Sequence, residues 1–298
     1  MSLRGASKFE SISDVATRLE SARYLADEAI ATVVFLADRL GKPLLVEGPA
    51  GTGKTELAKA VATSLDSRLV RLQCYEGVDE AKALYEWNYK KQLLRIQAEH
   101  DREMSWEEVE TNIFGEEFLL ERPLLDAIRH PEPTTLLIDE IDKVDFEFEG
   151  LLLEILSDFQ VSIPEMGTVK ARQIPFVVLT SNNSRELSEA LKRRCLYLYL
   201  DYPDIEREKA IVLARVPEIP EALADQLVRV VRSIRQMEIK KAPSIAETLD
   251  WARTLLHLGI SSLDENAARR TLNVLLKFQT DVEKVAAHLK IKPDPTQN

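Results

Sequence analysis

The run Gly48-Pro49-Ala50-Gly51-Thr52-Gly53-Lys54-Thr55 matches the pattern GxxxxGK[ST] and lies where an apolar strand should pass into a helix. Only ten glycines occur in the 298 residues, and three of them fall within these six positions, 48 to 53. Such a cluster lets the backbone turn tightly and aim successive amides at one centre, as an anion requires. Upstream, Pro43-Leu44-Leu45-Val46-Glu47 is a short apolar run suited to a buried strand. Downstream, Leu57, Ala58, Val61, Ala62 and Leu65 recur at helical spacing, so the loop opens a helix whose N-terminal amides would face phosphate. Lys54 is then placed to reach the β- and γ-phosphates of a nucleotide, and the Thr55 hydroxyl to help hold Mg²⁺. A glycine-rich turn without a ligand is the alternative, and the flanking strand and helix weigh against it.

Four further apolar runs supply strand candidates: Leu69 to Cys74, Thr135 to Ile138, Pro175 to Thr180 and Leu196 to Leu200. They are separated mostly by helical patterns, including one from Ala22 to Leu40 that stops at Gly41. Strands interleaved with helices argue for a parallel α/β sheet. After Tyr202-Pro203-Asp204 the character changes. Segments near 205 to 215, 220 to 237, 244 to 258 and 264 to 289 are helical in pattern, and Ser244 with Glu247 forms a capping box. The expected organisation is an α/β core over 1–203, an all-helical domain over 204–291 and a loose tail over 292–298.

The net charge of −11 opposes the broad positive field that non-specific nucleic-acid binding needs. The pairs Lys90-Lys91, Arg193-Arg194 and Lys240-Lys241 build no basic stripe. No apolar run approaches the ~20 residues that cross a bilayer, and no signal-peptide core is visible, so a cytoplasmic setting is expected. The two cysteines, Cys74 and Cys195, lack metal-ligand spacing and are expected to be reduced and without chemistry.

A second chemical signal is Thr134-Thr135-Leu136-Leu137-Ile138-Asp139-Glu140, an apolar strand delivering two adjacent carboxylates at its C-terminal end. Ligands of open α/β sheets bind at that end. Asp139 would help hold Mg²⁺ with Thr55, and Glu140 could polarise an attacking water as general base. A third is Asn182, just beyond the run Pro175 to Ser181, whose amide could orient the water or touch the γ-phosphate; asparagines after strands are also common turn formers. A fourth is Arg193-Arg194, before the last strand. An arginine inserted into a neighbouring subunit's site would stabilise transition-state charge, while a solvated pair is the plainer reading.

Together these elements resemble AAA+ ATPases of the MoxR family, and among them the CoxD-like branch. The resemblance rests on LQCYEGVDEAKALYEWNY (72–89), FLLERPLLDAI (118–128), LLEILSDFQVSIPE (152–165), LTSNN (179–183), LKRRCLYLYLDYP (191–203) and APSIAETLDWA (242–252). It implies an AAA+ P-loop NTPase core, a parallel five-stranded sheet flanked by helices, with a small all-α lid. It implies ATP and Mg²⁺ as ligands, a sensor-1 role for Asn182 and an arginine finger in trans at Arg194, with Arg193 as the fallback. It also implies a hexameric ring, in which the finger comes from a neighbour. Also implied are an insert of about 85–118 and a hairpin of about 160–172 that contact substrate or partner. Within the insert, Tyr85, Trp87 and Tyr89 would line one face of an extended segment or anchor it to the protein's own body. The chain departs from the pattern at Ser244-Ile245-Ala246-Glu247, which places alanine where relatives carry a sensor-2 arginine; Arg253, near the same helix face, is the candidate substitute.

The activity expected is Mg²⁺-dependent ATP hydrolysis driving chaperone-like remodelling or maturation of a partner, implied by the resemblance to be a metalloenzyme served together with a von Willebrand A domain protein. A nucleotide-switched regulatory module with slow hydrolysis and a nucleic-acid motor or clamp loader are the competing classes; the acidic balance disfavours the latter. No base-reading motif separates ATP from GTP.

Overall fold

A computed structural model of the chain describes residues 8–99 and 113–289. By contacts the chain forms two compact units: residues up to Gly48 with Lys54–Tyr199, and Pro49–Gly53 with the chain from Leu200 on.

In chain order the strands of the first unit are β1 (Leu44–Glu47), β2 (Arg68–Gln73), β3 (Tyr85–Trp87), β4 (Leu119–Glu121), β5 (Thr134–Asp139), β6 (Gln160–Ile163), β7 (Gly167–Lys170), β8 (Phe176–Ser181) and β9 (Leu196–Tyr199). Five of them form one parallel sheet of order β2-β5-β8-β1-β9. This is the five-stranded parallel sheet expected from the interleaved apolar runs. Strands β1 and β5 are buried along their whole length and β8 along all but its first residue, whereas the edge strands β2 and β9 alternate. Central strands of a parallel sheet are covered on both faces, so even their polar end residues are buried here, while the edges keep one wet face. Leu45, Ile138 and Leu179 from the sheet pack in one core with Leu124, Leu152 and Ile155 from its helices.

The helix Lys54–Ser64 follows the glycine-rich loop and buries Leu57, Ala58, Val61 and Ala62. The helix expected from Ala22 starts later, at Glu28, because Asp27 caps it through the Ile30 amide (2.8 Å) and Arg23 takes a left-handed φ of 60° that no helix accommodates. It ends at Gly41, also left-handed (φ 59°), where glycine carries no steric cost.

Strands β3 and β4 pair antiparallel, as do β6 and β7. Trp87 is buried and meets Tyr85 and Phe114 edge-on, at 6.3 and 5.2 Å between ring centroids. Tyr89 instead opens the helix Tyr89–Glu99 and is exposed. Two of the three alternating aromatics therefore pack on the protein's own body, and the third leaves their face because the strand has ended. Part of the expected insert, residues 100–112, and the expected tail lie outside the described residues.

The second unit carries the helices Ile205–Arg215, Glu221–Arg235, Ile245–His257, Glu265–Leu275 and Gln279–His288. Val212, Leu227, Val231, Trp251, Leu255, Leu272 and Val285 form its core. Ser244 and Glu247 make the reciprocal capping box. Arg235 binds the buried Glu208 through its Nη1 and Nη2, at 2.6 and 2.8 Å, and Thr248 donates to the same carboxylate at 3.0 Å. The helical pattern from 264 to 289 is interrupted after Leu275. Leu276 turns extended and is buried, and the next helix sets the buried Asp281 under the amides of Lys240 and Lys241 (3.1 and 3.3 Å).

Candidate active site

Three neighbouring strands, β5, β8 and β1, end side by side at their C-terminal edge. They deliver Asp139 and Glu140, then Ser181 and Asn182, then Gly48. The Gly48 amide donates to the Ser181 carbonyl (3.3 Å), and Gly48, Gly51 and Gly53 have φ of 152°, 74° and 96°. The latter two angles belong to the left-handed region, so the loop needs glycine where the sequence supplies it.

Lys54 is buried, and its ammonium donates to the Gly48 carbonyl at 2.8 Å. Burial pushes its pKa below the usual lysine value, against the opposing pull of Asp142, Asp139 and Glu140. Thr55 Oγ1 donates to Asp139 Oδ1 at 3.0 Å, joining the loop helix to the carboxylate strand end. Asp139 is only 3% exposed. Its Oδ1 also accepts from Thr180 Oγ1 (2.5 Å), and its Oδ2 accepts from Arg71 Nη2 (2.5 Å) and Nε (3.1 Å). A hydroxyl and a carboxylate are the hard oxygen donors that Mg²⁺ takes. Because the Thr55 proton goes to Asp139, the hydroxyl lone pairs are left for a cation, so these residues fit the metal.

Glu140 has a left-handed backbone (φ 59°), unusual for a residue with a side chain, and its amide is held by Thr180 Oγ1 at 2.9 Å. The Asn182 backbone N–H donates to Asp142 Oδ1 at 3.2 Å. Asp142 is buried; desolvation would raise its pKa, yet the hydrogen bonds from Ser184 and Asn182 hold it below the usual carboxylate range.

Arg194 stands elsewhere. It is exposed, closes the helix Glu189–Arg194, and precedes Leu196, which pairs with Leu44, the first residue of β1. The strands being parallel, Arg194 lies at the edge of the sheet opposite Gly48. Arg193 pairs with Glu189 of its own helix at 2.8 Å. In the helical unit Arg253 pairs with Asp250, also of its own helix, at 3.0 Å. Cys74 and Cys195 are free and buried, and burial drives both thiols up to about 12, which leaves them protonated and inert.

Sequence reasoning missed Thr180, Arg71 and Asp142. Thr180 reads as one more residue of an apolar strand, and Asp142 follows Asp139-Glu140 so closely that it passes as another solvated acid. Arg71 carries no signal, because only strand pairing puts β2 beside β5.

Parallel strands in this order, a glycine-rich loop leaving β1 and paired acids leaving β5 define the AAA+ class of P-loop NTPases. Residues 43–195, just over half the chain, match the AAA domain family, dynein-related subfamily, and the chain belongs to that family. The gas vesicle ATPase GvpN of Haloferax mediterranei is 27% identical over 207 residues, 66% of this chain and 57% of that protein. The katanin p60 ATPase-containing subunit A1 of Arabidopsis thaliana is 28% identical over 214 residues, 65% of this chain and 34% of that protein. The chain thus spans less than two thirds of the length of these relatives. A mutant RuvB from Thermotoga maritima superposes with a TM-score of 0.50 over 99% of this chain and 87% of that one, at 17% identity, a likeness of fold alone.

Proposed function

We propose that this chain is a Mg²⁺-dependent ATPase of MoxR type, CoxD-like, which works as a ring to remodel or mature a partner protein. The observation that carries the reading is the hydrogen bond from Thr55 to Asp139, which joins phosphate loop and acidic strand end into one site. Magnesium, when bound, would supply positive charge that offsets the negative charge of the phosphates. The residues do the rest. Thr55 and Asp139 would hold the metal, and the amides of residues 48–55 would cradle the phosphates. Lys54 exchanges its internal carbonyl partner for phosphate oxygens, Glu140 takes the proton of the attacking water, and Asn182 orients that water.

Arg194 acts in trans, because the opposite sheet edge is out of reach of its own site. A site completed by a neighbour requires an assembly, and a hexameric ring is the form the MoxR resemblance supports. The metalloenzyme client, the von Willebrand A domain partner and the cytoplasmic setting rest on the same resemblance. Relatives named as ATPases support ATP as the nucleotide.

The test is Glu140→Gln. It should retain Mg²⁺-ATP binding and lose turnover by about 10²- to 10⁴-fold, the contribution of a positioned general base. Unchanged turnover removes Glu140 from the mechanism. The same variant, holding unhydrolysed nucleotide, is the form with which to capture the client.

A further inference from the structure

The exits of β5 and β8 are laced together by buried groups on both sides of Glu140. On one side Thr180 bridges the Glu140 amide and the Asp139 carboxylate. On the other stands Asp142, 3% exposed, in the short 3-10 turn Ile141–Lys143. Its Oδ1 accepts the Asn182 backbone N–H at 3.2 Å; its Oδ2 accepts the Ser184 backbone N–H at 3.0 Å and the Ser184 hydroxyl at 2.5 Å. Both oxygens are engaged, and every one of these donors comes from the loop that follows β8.

A buried carboxylate is costly unless hydrogen bonds replace its water. Such a group is stable in only one arrangement of its donors, so the loop is fixed to the turn that starts at Glu140. Asn183, left-handed at φ 57°, lets the chain bend between the two donating amides. Farther along, Glu149, 1% exposed, binds Arg185 and accepts the Ser188 amide at 2.9 Å. Two buried carboxylates thus pin the segment that begins with Asn182.

We infer that Asp142 is a positioning residue for ATP hydrolysis: it acts through Asn182, setting that side chain in register with Glu140, and touches neither nucleotide nor water itself. The inference rests on the reading of Asn182 as the residue that orients the attacking water. Near-attack geometry tolerates little displacement, and an error of about 1 Å costs on the order of 10²-fold. Asp142→Asn keeps the volume but puts an amide group, itself a donor, against one set of these donors.

The experiment compares the full chain with Asp142→Asn, Asn182→Ala and the double variant, measuring ATP turnover, KM and binding of a fluorescent ATP analogue. Asp142→Asn should lower kcat by about ten- to hundredfold with KM and analogue affinity within about twofold. Added to Asn182→Ala it should lower kcat no further, because its effect travels through that side chain. Multiplied losses in the double variant, or a loss of analogue affinity matching the loss of kcat, overturn the inference. Full turnover in Asp142→Asn beside an impaired Asn182→Ala overturns it alone, whereas full turnover in Asn182→Ala removes the water-orienting role and the inference together. Should Asp142→Asn fail to fold, Ser184→Ala deletes one hydroxyl donor and carries the same expectation, a smaller fall in kcat absorbed by Asn182→Ala; an unaltered kcat there overturns the inference.

Discussion

At the residue scale the site is a contest for the oxygens of two buried aspartates. Asp139 is held by Thr55, Thr180 and Arg71, and the half-exposed guanidinium competes for charge with any cation that Asp139 helps to bind. Arg71→Gln should lower the Mg²⁺ concentration for half-maximal turnover by about two- to fivefold, the size of a partly exposed ion pair, as a metal titration at saturating nucleotide would show. An unmoved midpoint would mean that the arginine yields to the metal without cost. Asp142 carries a pH signature. Its folded pKa is depressed, so its stabilisation is complete above the unfolded carboxylate value near ~4 and is lost as pH falls through the lower folded value. The stability gap between the parent chain and Asp142→Asn should therefore be constant in neutral solution and narrow below about pH 4, as denaturant unfolding across pH would register. A gap that does not depend on pH would contradict an ionised Asp142.

At the element scale the sheet order decides which chain ends meet. Because β8 lies between β5 and β1, Thr180 and Asn182 are inserted between the acidic strand end and the phosphate loop, an adjacency that no local spacing encodes. The five strands were legible because each carries a short apolar run set between helical patterns. The late start of the helix at Glu28 and the break after Leu275 were not, since apolar periodicity runs on through both and only a cap and a buried partner reveal them. In the helical unit, the pair between Arg235 and Glu208 joins two helices in a nearly dry setting, with side chains 9% and 1% exposed. Arg235→Met should destabilise the protein by about 3–5 kcal/mol, because Glu208 is left charged and unpaired, and adding Glu208→Leu should recover part of the loss. Urea unfolding of the full chain would measure both, and a single variant as stable as the parent would contradict a cost for leaving that carboxylate without its arginine.

At the scale of the whole molecule, the parallel strands hold Gly48 and Arg194 at opposite ends, so the proposed use of this arginine in catalysis calls for a neighbouring subunit. Arg194→Ala and Glu140→Gln subunits, each inactive alone, should recover turnover when mixed, because some interfaces then pair an intact finger with an intact base. Verified mixed assemblies without recovery would exclude action across an interface. The sequence by itself determined the phosphate loop, the strand that ends in Asp139-Glu140, the interleaved α/β order and the helical character after residue 203, because each is written in local spacing and burial pattern. Tertiary structure alone decided that Thr180, Arg71 and Asp142 share the site and that Arg194 does not, because strand order and parallel direction bring together or hold apart residues that are distant in the chain.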